Sequence, residues 1–264
     1  MTKLLTLDLS LGFHASDNII RLARVFQALS RCRVDLHDYY DGVRTSPPPR
    51  LSCLYPSPTL ADRSKTLPPL TYRQFLSRAG RPTSDLVDLG NASSSMYIAT
   101  LGDTNAVIVK FTARYNAEAH RLLADEDLAP KLHFCERVIG GLYMVVMDRI
   151  DGTSVWQIQQ DKKVVPAVVL AYIKDALDIL HANDFVFGDL RDPNILYLPS
   201  KARVMLVDFD WCGKDGEDRY PATLNPNNAW SEDVSPYSIM RKAHDTWQLD
   251  RLAAVCEPAP IPTL

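Results

Sequence analysis

The sequence predicts an α+β domain in which a small antiparallel sheet precedes a mainly helical part, and three observations carry the prediction. Short β-rich runs, DLVDLG, MYIATLG and NAVIVKF, are separated by Gly, Asn and Ser, as strands and hairpins are. A sustained helical period then follows Pro166 in VVLAYIKDALDILHAN. The 264 residues are 46% hydrophobic and 23% charged, enough to bury one full domain with an appendage.

Taken in order, residues 18–30 (NIIRLARVFQALS) place Ile19, Leu22, Ala23, Phe26 and Leu29 on one helical face, with Ser16 or Asp17 available as N-cap. From Ser46 to Pro69 proline, serine and leucine dominate, which removes backbone donors and predicts an extended linker or a strap on a neighbour. Residues 1–83 are thus a helix and a Pro-rich extension. The β-rich runs follow, then a helix over 116–125 and the apolar strand in GLYMVVMDRIDG. In the long helix Val169, Ile173, Leu177 and Leu180 share a face, and Asn183 offers a stop. FVFGDLRDPNILYL and ARVMLVDFDW are short hydrophobic segments that each deliver acidic residues at one end. The Gly-, Asp-, Asn- and Pro-rich stretch after them is loop, SIMRKAHDTWQLDRLAAV is the last helix, and 257–264 (EPAPIPTL) is a tail.

A net charge of −3 and the lack of any Lys/Arg run disfavour a nucleic-acid partner. The five cysteines are spread without a CxxC pair and read as reduced thiols. No apolar run approaches the roughly 18 to 20 residues that span a bilayer, and MTKLLTLDLSLGFHAS is too interrupted for a secretory core. The expectation is an intracellular chain, cytoplasmic or nuclear. The six histidines fall at no metal-ligand spacing.

Phosphoryl transfer from ATP needs a cation on the phosphates, oxygen ligands for the metal and a carboxylate near the attacking hydroxyl. Lys110 ends the apolar run VIVK, and Glu118 in the next helix is a candidate ion-pair partner, with Glu126 as the alternative. Asp189 and Asn194 stand five apart in GDLRDPN, and Asp208 follows the hydrophobic MLV. Singly, these residues also read as turn caps or solvated strand ends. Their joint order points to a site.

Here the chain resembles the protein-kinase-like superfamily over roughly residues 84–256. GDLRDPNIL resembles the catalytic loop D-L-K-x-x-N, which implies Asp189 as catalytic base, Arg191 at the basic position and Asn194 as a metal ligand. VDFD resembles D-F-G, which implies Asp208 as the principal metal ligand. LYMVVMDRIDG resembles the strand entering the hinge, with Met147 as gatekeeper and the backbone of Asp148 to Ile150 meeting adenine. HDTWQLDRL resembles the central helix whose acid, Asp245, anchors the catalytic loop. GNASSSMY stands where the glycine-rich loop belongs, so Gly90, Ser93 and Ser94 would approach the phosphates. The wording is similar to atypical kinase-like proteins of fungi, with a truncated C-terminal lobe.

The implied architecture is a two-lobed protein-kinase-like fold: N-lobe 84–147, hinge 148–152, C-lobe 153–256. The implied cofactors are ATP and Mg2+, with Lys110 on the α/β-phosphates and a protein as substrate or partner; no membrane is implied and the oligomeric state is open. Phe187 replaces the usual His, Gly188 the usual Arg, and Asp210 the usual Gly, where it could aid a second metal, repel phosphate or, the reading preferred, cap the turn. The resemblance implies a serine/threonine-type phosphotransferase. A catalytically dead binding scaffold and a small-molecule kinase of the aminoglycoside or choline type are the alternatives.

Overall fold

A computed structural model of the chain describes residues 15–45, 55–77, 80–84, 96–225 and 228–256. These fall into two units, residues 1–59 and 60–264. The first contains helix α1 (Ala15–Thr45), 31 residues long. It begins ahead of Ser16 and Asp17, so neither is its N-cap, and it runs well past the expected end at residue 30. The chain beyond carries no proline before Pro47, and Asp41 there pairs with His37 at 3.2 Å and Arg44 at 3.4 Å, contacts a helical turn apart.

The second unit opens with a strap. Leu60 bridges Val138, Ala61 N donates to Arg137 O at 2.9 Å, and Lys65 pairs with Glu136 at 2.5 Å. Leu60 is buried in the core of the sheet that follows. That sheet comprises β1 (Leu70–Leu76), β2 (Pro82–Thr83), β3 (Met96–Leu101), β4 (Asn105–Thr112), β5 (Leu132–Arg137) and β6 (Tyr143–Asp148). The spatial order is β2-β1-β3-β4-β6-β5, with every pairing antiparallel.

The sheet therefore reaches back beyond residue 84. LTYRQFL, assigned above to the extension, is an interior strand paired along β3 from Leu70↔Leu101 to Phe75↔Tyr97. Its neighbouring prolines obscured it; they end just before the strand, where Pro69 O accepts from Gly102 N at 2.9 Å and no ladder donor is lost. The expected strand DLVDLG lies outside the described residues. Val107, Val109, Val146 and Met144 fill the centre of this sheet's core.

Helix α2 (Ala117–Asp125) follows β4, started by Asn116, whose side chain accepts from Ala119 N at 3.0 Å. Beyond β6 come β7 (Thr153–Ser154), α3 (Val155–Gln160) and the long helix α4 (Val168–Ala182). The four residues that the helical period placed on one face, Val169, Ile173, Leu177 and Leu180, are all buried, and Asn183 is the C-cap. Against α4 pack β8 (Phe185–Val186), β10 (Arg203–Leu206) and α5 (Lys242–Ala253), while β9 (Ile195–Leu198) forms a hairpin with β10 and β11 (Gly213–Lys214) pairs with β8. Leu123 of α2 joins this second core, so helix α2 bridges the sheet and the helical part. None of the described helices is long and apolar enough to cross a membrane.

Candidate active site

The β9–β10 hairpin explains the interval between Asn194 and Asp208. Ile195 pairs with Leu206, and Val207 N donates to Asn194 O at 2.9 Å, so the residues entering and leaving the hairpin meet at one end. Asp208 adopts φ +73°, which turns the chain sharply there. Phe209 then plunges into the core, stacked on His120 of α2 at 4.5 Å between ring centres and 7° between planes. Phe187 meets its edge at 5.5 Å. Phe187 is thus part of the apolar core behind Asp208.

The loop carrying Asp189 hangs from α5. The buried Asp245 carboxylate accepts from Phe187 N at 2.7 Å and Gly188 N at 2.8 Å, and from His181 Nε2 at 2.9 Å. Gln248, one turn on, accepts from Leu190 N at 3.0 Å. Gly188 has φ +76°, and a Cβ there would stand 2.3 Å from Met240 Cε. The glycine is thus a conformational requirement as well as a missing arginine.

Within the loop Arg191 forks onto the Asp189 carboxylate through Nε and Nη2, the latter at 2.6 Å. Asn194 Nδ2 donates to both Asp189 O and Asp189 Oδ2 at 2.9 Å. Burial pushes the Asp189 carboxyl above its usual range, against the pull of Arg191.

Lys110 enters from β4, which β3 and β6 pin through Met96↔Lys110 and Lys110↔Val145. Its amine lies 2.7 Å from Asp208 Oδ1 and 2.8 Å from Asp210 Oδ1. Asp210 is held in turn by Thr112 Oγ1, which donates to Oδ2 at 2.6 Å. Burial works against the ammonium, but the two carboxylates outweigh it and hold its pKa above the usual lysine value. Burial and the Asp208 charge push the Asp210 carboxyl up to about 6. Lys110 draws Asp208 the other way, below the ordinary carboxylate range despite burial.

The structure does not bring Glu118 to Lys110. Glu118 is exposed on the first turn of α2, while the buried side of that helix carries Ala119, His120 and Leu123. Glu126, the alternative, is the exposed C-cap of the same helix. Only four residues separate β4 from α2, and this short link sets the helix with its acids outward. Asp210 was read as a turn cap; it stands instead against Lys110. The sequence signal for this was Thr112, two residues past Lys110 and so on the same face of the strand.

Met147 is buried in β6, paired with Ile108. Asp148 N donates to Lys131 O at 2.9 Å, and its carboxylate accepts from His133 Nε2 at 2.6 Å and Asn105 Nδ2 at 3.3 Å. Arg149 N donates to Ala106 O at 3.0 Å. Gly90, Ser93 and Ser94 lie outside the described residues. Among those described, no group of three or more His, Cys, Asp or Glu is placed to hold a metal by itself. Asn194 and Asp208 nonetheless form an oxygen-only pair suited to a hard cation. With Asn194 Nδ2 committed to Asp189, the amide oxygen remains for such an ion.

No protein-family model matches the chain. Serine/threonine-protein kinase 1 of Heliothis zea nuclear polyhedrosis virus is 22% identical over 144 residues, 53% of this chain and 51% of that protein. The chain spans about half the length of this curated relative. Among solved structures, the PK-1 kinase of Cydia pomonella granulovirus superposes with a TM-score of 0.50 at 20% identity, covering 70% of this chain and 67% of that one.

Proposed function

We propose that the chain, which has the two-lobed α+β fold of protein kinases, is an ATP-dependent phosphotransferase acting on a hydroxyl, most simply a serine or threonine of a protein. The observation that carries the reading is the convergence of Asp189, Asn194, Asp208 and Lys110 from three elements onto one site. The serine/threonine assignment rests on D-L-R-x-x-N and on the similarity to the viral serine/threonine kinase.

In this reading Lys110 steadies the α/β-phosphates, and the backbone of Asp148 to Ile150 meets adenine. Gly90, Ser93 and Ser94 supply backbone donors to the phosphates. Asn194 and Asp208 hold Mg2+, which when bound neutralises the charge that develops on the transferred group. Asp189 orients the acceptor hydroxyl and takes its proton, and its raised pKa makes it a stronger base than a free carboxylate. Arg191 keeps that buried carboxylate charged until the acceptor arrives. The protein acts inside the cell, where ATP is available and its thiols stay reduced.

A second reading, a nucleotide-binding scaffold without turnover, is favoured by one observation: two carboxylates already engage Lys110. Transfer of labelled γ-phosphate to a mixed protein substrate separates the two. The enzyme reading expects Mg-dependent transfer that falls about 10²–10⁴-fold in Asp189→Ala, with nucleotide still bound. Bound nucleotide without transfer in the unmodified protein establishes the scaffold instead.

A further inference from the structure

We infer that Asp210 is the positioning residue for Lys110, in the place that the helix α2 glutamate was expected to fill; the inference rests on the reading of Lys110 as the phosphate-contacting cation. A buried ammonium needs a fixed counter-charge. Lys110 has two carboxylates within ion-pair reach, Asp208 at 2.7 Å and Asp210 at 2.8 Å, while Glu118 faces solvent.

The two carboxylates differ in what else they do. Asp208 is the expected metal ligand, and a cation there competes with Lys110 for its oxygens. Asp210 is tied to the strand that carries Lys110: Thr112 Oγ1 donates to its second oxygen at 2.6 Å. Lys110 and Thr112 stand two apart and project from one face of β4, so together they grip one carboxylate from the same rigid element. Asp210 directly follows Phe209, whose ring is locked between His120 and Phe187 and whose carbonyl accepts from Asn116 N at 3.1 Å. The carboxylate is therefore held at both ends. Asp210 keeps the amine in place when Asp208 turns to the metal.

The arrangement also accounts for two features of the sequence. The connection from β4 to α2 is too short to present Glu118 inward, and the third position of the D-F-D turn carries an acid where a glycine is usual. One departure compensates for the other.

The test is a double-mutant cycle on the Mg-ATP dissociation constant, measured by titration calorimetry for wild type, Lys110→Met, Asp210→Asn and the double variant. If Asp210 acts through Lys110, Asp210→Asn weakens binding about tenfold in the wild type and causes no further loss in the Lys110→Met background. Thr112→Val gives part of the same loss, Asp210→Glu restores part of it, and Glu118→Gln binds as wild type does. An equal loss in both backgrounds makes Asp210 a metal ligand and overturns the inference. Unchanged or tighter binding in Asp210→Asn also overturns it, since the carboxylate then merely competes with phosphate. Wild type that binds no Mg-ATP overturns the functional reading itself, an outcome distinct from either. Melting curves without nucleotide establish that each variant is folded.

Discussion

His120 shows how one side chain ties α2 to the turn behind Asp208. Its Nε2 donates to Pro130 O at 2.7 Å and its Nδ1 accepts from Tyr115 OH at 2.7 Å, which fixes a neutral tautomer. Burial, with the nearby Arg121 charge adding to it, lowers its pKa from 6.5 to about 4 despite the Pro130 carbonyl. The folded state thus resists protonation of this ring, so its contribution to stability is whole above pH 6.5 and fades as pH falls from 6.5 towards 4. At about 1.4 kcal/mol per unit the loss is on the order of 3 kcal/mol. Urea unfolding at a series of pH values should show this decline in the wild type and a shallower one in His120→Gln. At this scale Asp189, Asn194 and Asp208 were legible because a hairpin brings fixed sequence intervals together, whereas the partner of Lys110 was not. Which way Glu118 faces depends on a four-residue link, and nothing in local pattern reports the rotation of a helix about its own axis.

Among the elements, α5 is the one on which the loop carrying Asp189 depends. Asp245 accepts two backbone N–H groups of that loop in a fully buried setting. Asp245→Ala leaves both donors without a partner and should cost about 2–5 kcal/mol; Asp245→Asn, which keeps one acceptor oxygen, should cost less. Chemical denaturation of both variants measures the difference, and equal losses would show that the carboxylate's charge, not its hydrogen bonds, matters. In α4, Leu177→Ala opens a cavity in the larger core and should cost about 2–5 kcal/mol by the same measurement. The α4 face was readable because its period is local and strong. Strand β1 was not, since prolines on its approach mask an alternation that becomes decisive only once β3 lies beside it. Helix α1 outran its expected end because the apolar period that defined residues 18–30 is not what carries residues 31–45; polar side-chain pairs a turn apart run there.

For the molecule as a whole, the sheet, its strand β6 and the helical part stand in the order that the sequence predicts, and the candidate site lies where elements of both parts converge. Strand β4 contributes Lys110, the loop hung from α5 contributes Asp189, and the β9–β10 hairpin contributes Asn194 and Asp208. A site assembled from so many elements links ligand binding to global stability. The most direct measurement is thermal unfolding of the pure protein with ATP, in magnesium and in EDTA. A ligand at a hundredfold its dissociation constant stabilises the folded state by about 2.7 kcal/mol, a rise of several degrees for a domain of this size. The account predicts that rise in magnesium, a smaller one in EDTA, and loss of the magnesium increment in Asp208→Asn. No shift at millimolar Mg-ATP, or an increment that survives in Asp208→Asn, would contradict it.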